Sequence, residues 1–452
     1  MISSPPILDI ADFIADPVDP ADFPERTVRY WNARWAADIG LGDLDAERQA
    51  AHFGRFDPLP GNLERPLALR YHGHQFGTYN PQLGDGRGFL FAQMRDDRAR
   101  LLDLGTKGSG QTPWSRQGDG RLTLKGGVRE ILAANYLEAL GVNTSKPFAL
   151  IETGEQLARN DEPSPTRSAV LTRLSYSHIR FGSFQRLAYL EQDKDLARLV
   201  DYVVKNFHPE AEDADMGQQV VNLLSAGFVH GVMNTDNFNV TGETFDFGPW
   251  RFLPVSDPNF TAAYFDQQGL YRFGRQPLQG GWALQQLASA LLPLAEAEDL
   301  ASGLKPYERA YQESFVAHTH ALLGIAPLGD PQADTEFLQV FYAWMTETGA
   351  SWPQTFFDWF GGRESASRAA ASPQAALYKE DRFTPVREGL LARTPVRPER
   401  LEHAYFQALA PVSLLIEEVE AVWAPIADSD DWSALERKVA HIEQARRAYD
   451  WS

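Results

Sequence analysis

The apolar pattern of this chain changes once along its length, from strand-like segments to helical stripes. Between about residues 66 and 175, short runs rich in Val, Leu, Ile and Phe lie between turn residues, as in β-strands. These runs are Gly88–Gln93, Arg100–Leu104, Phe148–Glu152 and Ala169–Leu174. After about residue 190 the apolar residues recur at helical spacing. The pattern predicts an α+β fold in which a small sheet-rich lobe precedes a larger, mainly helical lobe.

Several helices can be placed from the same periodicity. Within the strand-like region, apolar residues from Val128 to Leu140 follow helical spacing, and Gly141 follows as a stop. A short helix is predicted near 27–38. Later stripes predict helices at 196–204, 220–224, 281–293, 305–323, 334–346 and 403–422. The aromatic cluster at 352–359 is predicted to be core.

Composition limits the classes of function. The chain has 452 residues, 43% of them hydrophobic, which suits two or three packed lobes. A formal net charge of −19 disfavours nucleic acid and anionic membrane as partners. No apolar run approaches the roughly 18 residues that a membrane span needs. Cysteine is absent, which excludes disulfides and thiol chemistry. With no secretory signal visible, we expect a cytoplasmic protein.

A basic, glycine-rich island interrupts this acidic chain. Residues 105–130 contain five basic residues, two acidic ones and seven glycines. Cationic side chains with exposed backbone N–H groups are what a phosphate site requires. A flexible surface loop would have the same composition.

A second candidate site lies between Gly227 and Trp250. The segment 238–247 predicts a hairpin with Gly242-Glu243 as its turn, which would bring Asn237 close to Asp246. An amide oxygen and a carboxylate so placed can share a divalent cation such as Mg²⁺. Asp236 adds a second carboxylate. Ordinary turn chemistry of Asn and Asp is the alternative explanation.

The order of these residues follows that of a protein kinase. Asp246 begins an Asp-Phe-Gly motif nine residues after Asn237, and Lys107 precedes Glu130 on the predicted helix at 128–140. Val232 stands where a kinase has its catalytic base, so conventional kinase chemistry is disfavoured. Arg173 and Arg180 suit phosphate binding or, alternatively, salt bridges at a strand edge.

Four dense segments resemble the selenoprotein O (SelO/YdiU) family of pseudokinase-fold protein nucleotidyltransferases. These segments are Tyr71–Gly77, Pro81–Arg87, Leu104–Pro113 and His230–Asn237. The resemblance implies a protein-kinase-like fold and transfer of AMP from ATP to Ser, Thr or Tyr hydroxyls of proteins, the chain itself included. It also implies a divalent cation, Mg²⁺ or Mn²⁺.

The resemblance further implies a role for each matching residue. Asp236 would be the proton acceptor, Asn237 and Asp246 the metal ligands, and Glu130 the residue that orients Lys107. The nucleotide would be held by Gly84, Gly86, Arg87, Lys107, Asp119, Gly120, Arg173 and Arg180. Many family members carry a cysteine or selenocysteine near the C-terminus, whereas this chain has none, so no redox switch is carried over.

On this basis the chain is predicted to have four parts: an N-terminal extension (1–65), a kinase-like N-lobe with the nucleotide site (66–180), a helical C-lobe with the catalytic and metal loop (181–400), and a C-terminal helical extension (401–452). Three alternatives to AMP transfer remain open. They are Mn²⁺-dependent transfer of UMP from UTP, an ordinary kinase, and an inert nucleotide-binding scaffold.

Overall fold

The computed structural model describes residues 4–207 and 226–451. The apolar stripe predicted at 220–224 lies outside these ranges. Across them, each helix is too short or too polar to cross a bilayer. The structure combines an antiparallel sheet with many helices, so the predicted mixture of α and β elements is confirmed.

Twelve strands are present in the described ranges. They are β1 (Ala15–Pro17), β2 (Thr27–Trp31), β3 (Leu67–Leu69), β4 (Gly73–Gln75), β5 (Thr78–Asn80), β6 (Leu90–Arg95), β7 (Leu101–Lys107), β8 (Leu122–Thr123), β9 (Lys146–Leu157), β10 (Thr166–Ser175), β11 (Phe228–His230) and β12 (Trp250–Phe252). The main sheet has the order β1-β3-β6-β7-β10-β9-β2, and β8 also pairs with β10. Strands β6, β7, β9 and β10 confirm the four strands predicted from the sequence.

Fifteen α-helices are present in the same ranges. They are α1 (Ala11–Ile14), α2 (Ala33–Asp38), α3 (Ala46–Ala50), α4 (Leu124–Ala139), α5 (Phe181–Tyr189), α6 (Asp193–Phe207), α7 (Gln276–Ala290), α8 (Ala297–Leu304), α9 (Pro306–Leu322), α10 (Pro331–Thr348), α11 (Trp352–Trp359), α12 (Ala366–Ala371), α13 (Thr384–Ala392), α14 (Ile416–Ser429) and α15 (Ser433–Tyr449). Helices α4, α6, α7, α9 and α10 confirm predicted ones. The side chains of Trp352, Phe356, Phe357 and Trp359 are buried, as expected of core.

The central strands are buried on both faces because different elements cover each face. Along β10, Ala169 and Leu171 belong to the apolar cluster built around α4. Val170 and Leu174 point to the opposite face and pack in the cluster with Trp35 from the N-terminal segment. This alternation follows from the two-residue period of a strand. It fixes α4 against one face of the sheet and so sets the position of Glu130.

The helix predicted near 27–38 is wrong in its first half. Residues Thr27–Trp31 form strand β2, which pairs with β9, and Asn32 then caps α2 by accepting a hydrogen bond from the Trp35 N–H at 3.3 Å. Val28 and Tyr30 favour a strand, and an available sheet edge outweighs local helical spacing. Both edge strands of the sheet, β1 and β2, therefore come from the first 65 residues.

The helix predicted at 403–422 is also wrong for most of its length. Only a short 3₁₀ turn, Ala404–Gln407, precedes the extended residue Leu415, and α14 begins at Ile416. Pro411 lies between them. Proline lacks an N–H and disfavours helical conformation in the preceding residue, which explains the interruption.

The hairpin predicted at 238–247 does not form. Asn239 pairs instead with Arg180, and Thr244 pairs with Thr144. Glu243, expected in an exposed turn, is fully buried, and its carboxylate accepts a hydrogen bond from the Lys146 ammonium at 2.8 Å. The chain still turns locally, since Asn239 Oδ1 accepts from the Thr241 and Glu243 N–H groups, and the buried ion pair then ties Glu243 to β9.

Candidate active site

The predicted nucleotide-binding residues lie around one cavity of about 650 Å³. Its lining includes all eight of them together with Asp236 and Asp246. Residues from the loop before β6, the end of β7, the basic island, β10 and the 3₁₀ turn Thr235–Asn237 meet here. We call this cavity the cleft.

The cleft is strongly cationic. Its lining carries seven cationic side chains against four carboxylates. The cationic residues are Arg87, Lys107, Arg116, Arg121, Arg159, Arg173 and Arg180, and the acidic ones are Asp85, Asp119, Asp236 and Asp246. In a chain of net charge −19, this excess of positive charge is local. It suits a ligand with several negative charges, such as a polyphosphate.

Lys107 connects the sheet, helix α4 and the Asp-Phe-Gly segment. It ends β7, is 4% exposed, and its ammonium donates to a carboxylate oxygen of Glu130 and to Asp246 Oδ1, the latter at 2.8 Å. Thr123 caps α4 by accepting from the Gly126 N–H at 3.1 Å, which fixes the start of the helix that carries Glu130. The spacing of Lys107 and Glu130 in the sequence therefore corresponds to a direct contact.

Asp246 is surrounded by cations. Besides Lys107, the Arg173 guanidinium lies 3.2 Å from Oδ1 and the Arg180 guanidinium 3.1 Å from Oδ2. Burial favours the neutral acid, but these three cations outweigh it and hold the pKa of Asp246 well below its usual range. Asp246 is thus a permanent carboxylate.

Asp236 has the opposite character. It is 8% exposed, and its Oδ1 atom has no hydrogen-bond partner in the described part of the chain. Burial raises the pKa of Asp236 to about 6, although the nearby Arg180 opposes this shift. The Arg180 side chain donates to the backbone carbonyl of Asp236 at 2.6 Å, which fixes the turn. The cleft therefore holds one carboxylate that is always charged and one that can exchange a proton near neutrality.

Glycines form one wall of the cleft because larger residues would not fit. A Cβ atom on Gly84 would lie 2.4 Å from the Trp114 ring, and one on Gly86 would lie 2.8 Å from the Trp114 carbonyl oxygen. Gly120 has a φ of 70°, and its Cβ would clash with the Gly110 backbone at 2.3 Å. Asp119, next to Gly120, accepts from Arg159 at 2.7 Å.

Comparison with known proteins agrees with the geometry of the cleft. A family model described as protein adenylyltransferase SelO matches residues 4–443. The chain belongs to the SelO family. A protein nucleotidyltransferase YdiU of Synechocystis sp. is 39% identical over 95% of both chains. The YdiU of Gloeobacter violaceus is 39% identical over 95% of this chain and 92% of its own length. That of Vibrio cholerae is 39% identical over 72% of this chain and 68% of its own length.

In the described part of the chain, Asn237 is the one predicted site residue that does not border the cleft and has no hydrogen bond or ion pair with the side chain of a cleft residue. It ends the 3₁₀ turn, and its Nδ2 atom donates to the Val232 carbonyl at 2.9 Å. The hairpin that was expected to bring it beside Asp246 is absent. Among the described residues no group of three or more His, Asp or Glu side chains converges in a metal-binding arrangement. A cation shared with phosphate oxygens would need fewer protein ligands than that.

Sequence reasoning on this SelO chain missed several cleft residues. Asp85 lies in the predicted glycine loop, where it accepts from the Leu69 N–H at 3.0 Å and faces Arg180 at 3.6 Å. Arg116 and Arg121 belong to the basic island, whose composition predicted a phosphate site, but neither was among the predicted nucleotide-binding residues. No local sequence pattern indicates that Arg159 belongs to the site, because the pairing of β9 with β10 brings it to the cleft.

Proposed function

We propose that this SelO-family chain transfers AMP from ATP to Ser, Thr or Tyr hydroxyls of protein substrates and releases pyrophosphate. The observation that carries the proposal is the combination of a buried carboxylate, Asp236, whose pKa is raised to about 6, with a cleft of seven cationic residues. The first feature suits a general base at neutral pH and the second a triphosphate. Nucleotidyl transfer is also the activity that the names of its relatives state.

The proposal includes a kinase-like arrangement of two lobes with the four chain segments predicted above. It is supported by the buried contact of Lys107 with Glu130 and by the approach of Lys107 to Asp246, the first residue of the Asp-Phe-Gly motif. It also includes a cytoplasmic location, in keeping with a chain that lacks cysteine.

In the proposed reaction, the Asp236 carboxylate, which borders the cleft, accepts the proton of the acceptor hydroxyl. The hydroxyl oxygen forms a bond to the α-phosphorus, and the bond from that phosphorus to the oxygen bridging to the β-phosphate breaks. Pyrophosphate leaves with the electron pair of that bond. The carboxylate suits this role because its Oδ1 atom is buried without a hydrogen-bond partner in the described chain, which favours proton uptake.

Negative charge develops on the departing pyrophosphate, and the basic side chains stabilise this charge. Lys107, Arg173 and Arg180 already converge on Asp246 within 3.2 Å, so they are held in place before any ligand arrives. Such fixed cations stabilise charge that appears in the transition state without reorganising at the moment of reaction.

The cofactor in this proposal is Mg²⁺ or Mn²⁺. The Asp246 carboxylate suits a hard cation because its pKa is held low, and the family resemblance implies the Asn237 amide oxygen as a second ligand. When bound, the cation would neutralise phosphate charge and orient the triphosphate.

Other functions are less well supported. Transfer of UMP from UTP with Mn²⁺ would use the same phosphate contacts, and the names of the relatives do not specify the base. An ordinary kinase is disfavoured because Val232, at the position of a kinase base, is a half-buried side chain packed against an apolar cluster. An inert scaffold would have no use for an unpaired buried carboxylate, which costs stability.

Labelled nucleotides separate these functions. We expect label from α-³²P-ATP, and not from γ-³²P-ATP, to become bound to protein in the presence of Mg²⁺ or Mn²⁺. Asp236→Asn, which keeps the shape of the side chain, should reduce this labelling while nucleotide affinity remains. Transfer of the γ label would instead indicate a kinase, label from α-³²P-UTP alone would indicate UMP transfer, and no labelling would indicate a scaffold.

A further inference from the structure

The short hairpin β4–β5 covers the turn that carries Asp236. A Cβ atom on Gly73 would lie 2.8 Å from Asp236 Oδ1, so the backbone of the hairpin passes directly over this carboxylate. The His74 N–H donates to Thr235 Oγ1 at 2.7 Å, and the Phe76 N–H donates to Asn234 Oδ1 at 3.2 Å. The tip of the hairpin is therefore fixed relative to the proposed base.

The tip places a phenylalanine in an unfavourable backbone conformation. Phe76 has a φ of 49° and Gly77 a φ of 76°, as in a two-residue turn that normally prefers Asn-Gly. A bulky residue in this region costs on the order of 1–3 kcal/mol, and such strain is concentrated at functional sites. The Phe76 ring is nevertheless 39% exposed, so it contributes less to the core than a buried phenylalanine would.

Two more exposed aromatic residues continue this surface. Phe265 packs edge-on against Phe76 with ring centroids 5.8 Å apart, and Tyr264 packs against Phe265 at 5.2 Å. Phe265 is 45% exposed and Tyr264 85% exposed. We call these three residues the aromatic rim. An exposed aromatic group of this kind is uncommon on a soluble surface and often marks a binding site.

The rim lies beside the cleft and outside its charged interior. Gln75, the neighbour of Phe76, lines the cleft, whereas Tyr264 and Phe265 line an adjoining cavity of about 440 Å³. The two cavities share four of the cationic residues: Arg87, Lys107, Arg121 and Arg159. These cations complement the negative charge of the triphosphate. The apolar rings of the rim complement no part of the triphosphate.

We infer that the aromatic rim is the docking surface for the acceptor polypeptide, where it binds an aromatic or large aliphatic side chain close in sequence to the hydroxyl residue. This rests on the proposed function, because the acceptor hydroxyl must come within about 3 Å of Asp236. The hairpin that covers Asp236 with its base also carries Phe76 at its tip, and the Phe76 N–H donates to Asn234, two residues before Asp236. Aromatic side chains bury a large area at little conformational cost, and they commonly anchor such contacts.

A peptide array tests this inference. Each peptide carries one serine and differs only in the residues that flank it, and label from α-³²P-ATP is measured. The wild-type chain is expected to prefer Phe, Trp or Leu flanks over Asp or Gly. In the double variant Tyr264→Ala with Phe265→Ala, we expect about a tenfold higher KM for the preferred peptide and an unchanged KM for ATP.

Two controls separate the rings from other effects. Tyr264→Phe removes a hydroxyl that could itself be modified but keeps the ring, and it should behave as wild type. Leu409→Ala removes a side chain that is 69% exposed and borders neither cavity, and it should change nothing. The inference is overturned if the wild type shows no flank preference, or if the double variant keeps that preference. If the wild type labels neither peptides nor itself, the proposed function fails and this inference fails with it.

Discussion

Asp236 is a carboxylate in an environment that favours its neutral form. Burial raises its pKa from the ordinary 3.8 to about 6, against the opposing influence of Arg180. A raised pKa of an acid means that the folded state binds its proton more tightly than the unfolded state does. The charged form therefore reduces the stability of the fold, increasingly as the pH rises from about 4 to about 6, and by a constant amount above that.

Replacing this carboxylate should stabilise the protein. At about 1.36 kcal/mol per pH unit, the shift corresponds to roughly 3 kcal/mol at pH 8. We expect Asp236→Asn to increase the free energy of unfolding by up to about this amount at pH 8, by less at pH 5, and by almost nothing near pH 4. Urea unfolding of both proteins at the three pH values measures the difference. An advantage of Asn that is independent of pH would show that the ionisation of Asp236 is not its cause.

The same ionisation predicts how transfer depends on pH. A general base acts only when deprotonated, so kcat/KM should fall about tenfold per pH unit below about 6 and level off above it. The slow residual transfer by Asp236→Asn should lack this inflection. Initial rates with α-labelled ATP between pH 5 and pH 8 give both profiles. If the variant keeps the inflection, another group is the base.

Asp246 should be indispensable for a different reason. Its carboxylate forms ion pairs with Lys107, Arg173 and Arg180 and is the proposed metal ligand. We expect Asp246→Ala to lower transfer by roughly 10³-fold or more. Nucleotide binding without divalent cation should be retained, because the three cations lose one shared carboxylate and keep only Glu130 and Asp85 as ion-pair partners among the described residues. Labelling assays and equilibrium dialysis with labelled ATP measure the two effects, and transfer at the wild-type rate would remove Asp246 from the metal site.

At the scale of elements, the hairpin β4–β5 depends on a glycine at its base. The Cβ of Gly73→Ala would meet Asp236 Oδ1 at 2.8 Å and Asp236 Cβ at 3.0 Å, so either the hairpin or the carboxylate must move. A displacement of about 1 Å can cost on the order of 10²-fold in rate. We expect kcat to fall by 10- to 100-fold with little change in the KM for ATP.

A second glycine provides the control. Gly303 lies on helix α8, and a Cβ there would meet no atom within 4 Å. Gly303→Ala should leave kcat unchanged and stabilise the helix slightly. Circular dichroism melting of both variants tests whether lost activity reflects lost folding. Equal activity of Gly73→Ala and wild type would show that the hairpin does not restrain Asp236.

Prediction from the sequence succeeded where local pattern decides the structure. The strands β6, β7, β9 and β10 and the helix α4 follow from local periodicity, and the contact of Lys107 with Glu130 follows from the kinase-like order of these residues. It failed where a distant partner decides. The hairpin predicted at 238–247 does not form, and Glu243 instead pairs with the buried Lys146. The first half of the helix predicted at 27–38 is a strand that pairs with β9. Neither partner can be read from the segment itself.

At the scale of the whole molecule, the last two helices are joined to the helix that carries Glu130. One apolar cluster includes Ile131 of α4, Val419 of α14 and Ile442 of α15. The Trp451 indole N–H also donates to the Ala139 carbonyl, at the end of α4, at 2.9 Å. The C-terminal segment therefore supports the position of α4, and through it the contact of Glu130 with Lys107.

Apolar packing and ion pairs both join these helices, and they should contribute unequally. Ile442 is 2% exposed, so Ile442→Ala should cost roughly 2–5 kcal/mol of unfolding free energy through lost burial and a cavity. Glu420, whose side chain is 44% exposed, accepts from the Lys125 ammonium at 2.7 Å, and Glu420→Ala should cost less than about 1 kcal/mol because water screens the pair. Urea midpoints of the two variants at pH 7.5 compare these costs. At 0.5 M NaCl, the cost of Glu420→Ala should decrease, and the cost of Ile442→Ala should not. Because α4 carries Glu130, loss of its packing should also affect activity. The temperature at which labelling is lost should fall together with the urea midpoint in Ile442→Ala, and it should not fall in Glu420→Ala. Equal costs for the two variants would mean that charge, and not the shared apolar cluster, holds the C-terminal helices on α4.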